Sequence, residues 1–120
     1  MEVFKGNETA AMTANNTWAF NCRPVTGNKD DFSLHSYGYA LNINTLINPY
    51  VKGNEVLPQS GKGYLDRSKP VPGMVIQGDK IYQLFIKHGW SWDGAWSDRQ
   101  DYRQFEKNCN QYGNCKSIKL

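Results

Sequence analysis

"SLHSYGYALN", residues 33–42, is the stretch on which the reading of this chain turns. It runs into "YALNIN" (39–44), where apolar and polar residues alternate. Alternation with period two marks a strand with one buried face. Ala40 and Asn42 then share one face, and Leu41 and Ile43 the other. His35 precedes the strand, so a loop or a short helical turn must carry it. A His followed seven residues later by a polar strand residue, with Gly38 and Ala40 between, has the form of two arms of a metal site. The second arm, Asn42, is an amide where an acid is expected.

Working outward, "TWAFNC" (17–22) has the aromatic and β-branched content of a short strand, and "RPVTGNKDD" (23–31) supplies turn chemistry. Residues 45–73 form a long irregular stretch with Pro and Gly throughout, which predicts a functional or core-wrapping connection. "GDKIYQLFIKHGW" (78–90) is the clearest helix. Ile81, Leu84, Phe85 and His88 follow the helical stripe, Asp79 caps the start and Gly89 follows the end. "WSWDGAW" (90–96) reads as an aromatic loop and "DYRQFE" (101–106) as a final strand. The order predicts a small α+β domain.

A chain of 120 residues is one domain's worth, and 39% apolar with 21% charged residues fits a soluble globular protein. No apolar run approaches the ~20 residues of a membrane span. "MEVFKGNETAAM" lacks the basic head and apolar body of a signal peptide, so an export signal, if the protein is exported, belongs to a longer precursor. Net charge is +3, but the Lys and Arg are scattered, which argues for an ordinary solvated surface and against nucleic acid as partner. Cys22, Cys109 and Cys115 are an odd set with no zinc-finger spacing; "CNQYGNC" (109–115) has two readings, a small disulfide loop or a pair of thiols.

Polar candidates converge from three places. His35 and Asn42 come from the opening stretch, Asp101 and Gln104 from D-x-x-Q in the last strand, and Arg23 follows the first strand. A zinc peptidase needs three N or O ligands, an open position for water, and a carboxylate to take that water's proton. In these features the chain resembles the zinc D-alanyl-D-alanine carboxypeptidase family, the VanY/VanX-like peptidoglycan peptidases. "SLHSYGYALN" looks like the family motif S-x-H-x-x-G-x-A-x-D, and "NNTWAFNCR", "INPYVKG", "YLDRS", "PGMV" and "FIKHGWSWDGAWSDRQDYRQFE" resemble further segments of its short carboxypeptidase-like branch in the right order.

The resemblance implies a small antiparallel sheet flanked by helices in one domain over residues 1–120. It implies His35, Asn42 and Gln104 at the metal-ligand positions, the last two replacing Asp and His. Asp101 falls on the general base, and Arg23 on a catalytic arginine that contacts substrate and steadies the oxyanion. Ser33 helps hold the substrate, and Trp92 is a further substrate contact, although Trp90, Trp92 and Trp96 also suit core and rim packing. "WDGAW" stands where a "WGGDW"-like loop is usual, and Trp18 where Ser is usual.

Carboxamide oxygens are neutral, weak zinc donors, so the expectation is weak or absent binding of the ancestral zinc. Three functions follow: a catalytically impaired homologue that binds peptidoglycan stem peptides or other D-Ala-terminated peptides; a working hydrolase with an atypical metal or repurposed chemistry on His35 and Asp101; and a plain interaction module. The expected form is a monomer acting outside the cytoplasm at the cell wall, with phage lysis as a related context.

Overall fold

The computed structural model describes residues 4–5, 7–19, 24–25, 28–32 and 34–107. Arg23, Ser33 and the three cysteines lie outside the described residues. The chain opens with helix α1 (Glu8–Thr13), whose N-cap Asn7 accepts a hydrogen bond from Ala10 N at 3.0 Å. Ala11 and Met12 on its buried side pack with Trp18. The turn-rich stretch after Arg23 contains a hairpin, β1 (Pro24–Val25) against β2 (Asn28–Phe32), where the sequence reading had only a turn.

His35 rides on a short 3-10 turn, Leu34–Tyr37, as the spacing predicts. Gly38 then takes φ +75°, a left-handed conformation open to glycine at no steric cost, and redirects the chain into β3 (Ala40–Asn42). The stretch 45–73 is more organised than its composition suggests. It holds the hairpin β4 (Tyr50–Lys52) and β5 (Glu55–Leu57), then a 3-10 turn at Gln59–Tyr64. Its strands are three residues each, too short for a periodic signal.

Buried polar groups tie this stretch down. Asn48 Nδ2 donates to Ile43 O, Asn44 O and Gly73 O, while its Oδ1 accepts from Val75 N and Arg67 Nη2, both at 2.8 Å. Arg67 also donates to Ile47 O, Tyr64 O and Val75 O and stacks 4.4 Å over Tyr102.

Helix α2 (Lys80–Lys87) is capped by Asp79, whose Oδ1 accepts from Tyr82 N at 2.7 Å, and Gly89 follows it at φ +84°. The aromatic stretch after it is strand β6 (Trp90–Trp92) and a 3-10 turn at Asp93–Ala95. The expected last strand is broken in two. β7 (Gln100–Asp101) pairs with β4, and β8 (Gln104–Lys107) pairs with β3 and β6. Tyr102 and Arg103 carry the chain from one sheet to the other: Tyr102 N donates to Pro49 O and Ile43 N to Arg103 O.

Two antiparallel three-stranded sheets result, in the orders β3-β8-β6 and β5-β4-β7, giving an α+β fold with few helices. The register β3-β8-β6 sorts the first sheet's faces. Leu41, Phe105, Trp90 and Trp92 share one face. There Phe85 of α2 stacks on Phe105 with centroids 4.3 Å apart, Tyr82 meets Trp92 edge-on, and Val75 completes the core. Ala40, Asn42, Gln104, Glu106 and Ser91 share the other face. That polar face holds the candidate site.

Candidate functional site

Asn42 and Gln104 are direct cross-strand partners on the polar face, which sets their Cβ atoms about 5 Å apart. His35 drops onto the same face from its 3-10 turn and is 1% exposed. Its Nε2 lies 3.2 Å from Gln104 Oε1, and its Nδ1 lies 2.9 Å from Ala19 O. Gln104 Nε2 in turn donates to Asp93 Oδ2 at 2.7 Å. Asp93, Gln104, His35 and the Ala19 carbonyl thus form one continuous hydrogen-bonded chain.

Asn42 is fully buried, and neither atom of its carboxamide has a hydrogen-bond partner among the described residues. Its main chain is paired on both sides, with Trp18 through a two-bond bridge and with β8. The amide is therefore held in place by backbone, with its polar end unused.

Asp93 is 1% exposed, and its carboxyl is pushed up to about 8, chiefly by burial and then by the charges of Glu106 and Asp101; the Gln104 N–H opposes the shift. Burial also raises Glu106, which lies two residues from Gln104 on the same face. Asp101, at the end of β7, is buried and sits 3.2 Å from Arg103 Nε. The contact is a Coulombic pair, with the two atoms poorly aligned for a hydrogen bond. Arg103 Nη1 also reaches Met12 Sδ, so α1 closes over this pair.

The fold therefore brings His35 to Gln104, and Asn42 beside Gln104. Asp101 lies near enough for its charge to act on Asp93 and Glu106. Trp92 is not brought there. It belongs to the opposite face, 8% exposed, with its indole N–H given to Tyr102 O at 2.9 Å, because strand alternation points it at α2. His88 is exposed at the C-terminal end of α2, where its carbonyl accepts from Lys107 Nζ at 2.7 Å.

Asp93, Glu106 and Arg103 were not among the sequence-derived candidates. Glu106 was within reach of the alternation that includes Gln104, and Asp93 was visible as the odd residue of "WDGAW".

Among the described residues no three His, Cys, Asp or Glu side chains converge as a cation site. The donor set at the implied ligand positions is one imidazole and two neutral carboxamides, one of which is already tied to Asp93. This set does not fit a zinc hydrolase centre, which draws on anionic or imidazole donors to hold the ion and activate its water.

A family model described as D-alanyl-D-alanine carboxypeptidase matches residues 26–107, more than half of the chain. The match takes in His35, Asn42, Asp93, Asp101 and Gln104 and stops short of Arg23. No curated protein and no solved structure gives a significant match.

Proposed function

The chain belongs to the D-alanyl-D-alanine carboxypeptidase family, and from that premise we propose that it is a member with impaired zinc catalysis whose cleft binds D-Ala-terminated stem peptides. One observation carries the reading. Where the family resemblance puts zinc ligands, the polar face presents His35, Asn42 and Gln104, and the Gln104 oxygen faces the His35 ring at 3.2 Å. An amide in place of Asp removes a full negative charge from the centre, and an amide in place of His removes a donor that zinc favours.

Other features support retention of the cleft. Gly38, the 3-10 turn and the β3-β8 register hold His35, Asn42 and Gln104 to one face, which supports a frame kept through the change of donors. Arg23 and Ser33 are proposed as contacts to the peptide's carboxylate and backbone, with Asp101 as the remnant of the general base. The proposed partner class is peptidoglycan and the proposed site of action the cell wall, which the family membership supports; no helix among the described residues is long and apolar enough to cross a membrane.

Metal analysis of protein purified with zinc, together with titration of a D-Ala-D-Ala-terminated peptide, tests this. Peptide binding without a stoichiometric ion and without D-Ala release is the expected result. A bound ion with rapid D-Ala release would overturn it, and so would failure to bind any wall peptide.

A further inference from the structure

We infer that Arg99, stacked on Trp96 at the margin of the polar face, takes a second carboxylate of the bound peptide and makes the cleft selective for acidic wall peptides. The inference rests on the binding reading above and deepens it by naming a charge the ligand carries upstream of its D-Ala terminus.

The loop between β6 and β7 puts Arg99 there. Trp96 N donates to Asp93 O at 3.4 Å, which ties the near end of the loop to the residue that bonds Gln104. Gln100 Nε2 donates to Trp96 O at 3.0 Å and holds the far end where β7 begins. The Arg99 guanidinium then lies 4.7 Å over the Trp96 ring. It is near enough for its charge to act on Glu106 of the polar face and on the hydroxyl of Tyr50, the partner of Asp101 in the β4-β7 pairing. An indole beneath a guanidinium fixes the plane of the fork and leaves its N–H edge to other partners.

That edge is uncommitted. Among the described residues the Arg99 guanidinium makes no hydrogen bond, and its ion pair with Asp98 is 3.9 Å long, beyond hydrogen-bond reach. The two side chains are 38% and 70% exposed, and a loose pair in water is worth little, so an incoming anion displaces Asp98 at small cost. Arg103, a second cation nearby in the chain, is buried and already paired with Asp101. A planar fork with free N–H groups matches the two oxygens of a carboxylate. The terminal carboxylate of the peptide is given to Arg23 in the binding reading, so the anion for Arg99 belongs to a residue that precedes the D-Ala pair.

Calorimetric titration tests this with N-acetylated peptides ending in D-Ala-D-Ala that carry Glu or Gln at either of the two preceding positions. Wild type should bind one of the Glu peptides about fivefold tighter than its Gln twin, the range of a partly exposed ion pair. The preference should shrink at high salt. Arg99→Gln should erase it and leave the affinity for the Gln peptide unchanged, and Arg99→Glu should reverse it. Asp98→Asn, which removes the competing carboxylate from an exposed position, should widen it. Equal affinity for the Glu and Gln twins in wild type, or a preference that survives Arg99→Gln, would overturn the inference alone. So would an Arg99→Gln loss shared equally by both twins, which would assign Arg99 to the terminal carboxylate. If no peptide of the set binds, the binding reading fails and this inference with it.

Discussion

Gln104 Nε2 donates to Asp93 Oδ2 at 2.7 Å while Gln104 Oε1 faces His35 Nε2 at 3.2 Å, so one carboxamide spans a buried acid and a buried imidazole. Both partners are 1% exposed and have little recourse to water. Gln104→Ala should therefore cost about 2–4 kcal/mol, from two groups left unsatisfied. Gln104→Leu should cost no less, because it fills the volume without restoring either bond. Urea unfolding of the two variants beside wild type measures this. Equal midpoints for all three would show that the chain of bonds is not formed in solution.

The raised carboxyl of Asp93 gives stability a definite pH dependence. Its folded value of about 8 lies above the ordinary 3.8. Between those limits the folded state keeps a proton that the unfolded chain has released. Stability is then highest below pH 4 on this account and falls as pH rises toward 8, at a limiting slope of about 1.4 kcal/mol per pH unit. Glu106, also raised, acts with the same sign. Asp93→Asn, which cannot titrate, should flatten the decline between pH 5 and 8. A wild-type stability that climbs across this range would contradict the burial of a protonated acid.

The polar clasp of the 45–73 stretch predicts a larger effect remote from the site. Asn48 engages five partners and is fully buried. Asn48→Ala should destabilise by about 3 kcal/mol, since it leaves the buried Val75 N without its acceptor and takes a donor from Ile43 O, while Asn44 O and Gly73 O keep Asn48 N and Asn44 Nδ2. Arg67→Lys should lose most of what Arg67→Ala loses, because a point ammonium cannot reproduce the planar fork that serves Ile47 O, Tyr64 O, Val75 O and Asn48 at once. Thermal unfolding of the three variants orders these costs.

What the sequence made legible divides along the same lines. Helix α2 with its Asp79 cap and the strand face shared by Ala40 and Asn42 follow from local chemistry and periodicity, and both are formed. The hairpins β1-β2 and β4-β5 escaped because strands of two to five residues carry too few alternations to stand out from turn composition. "DYRQFE" read as one strand because nothing local marks the change of sheet at Tyr102 and Arg103; the switch is made by long-range bonds to Pro49 and Ile43. In the candidate site, His35, Asn42 and Gln104 were found through motif spacing. Asp93 was passed over because its importance comes from a contact eleven residues away, across the β6-β8 pairing.

Restoring the missing donors is the sharpest remaining trial. Asn42→Asp together with Gln104→His would set two imidazoles and a carboxylate at the three proposed ligand positions, a donor set that zinc accepts. Without metal, the carboxylate introduced at position 42 is a buried charge on the face that holds Asp93 and Glu106, so the double variant should unfold earlier than wild type. Zinc at a hundred times its dissociation constant should return about 2.7 kcal/mol of stability to that variant alone. Wild type and each single variant should respond far less. D-Ala release should recover less completely than zinc binding, because Asp101 remains paired with Arg103 at 3.2 Å and must leave that contact to accept a proton. If the double variant folds and still shows no zinc-dependent rise in its unfolding midpoint, the assignment of positions 35, 42 and 104 to one ancestral centre is wrong.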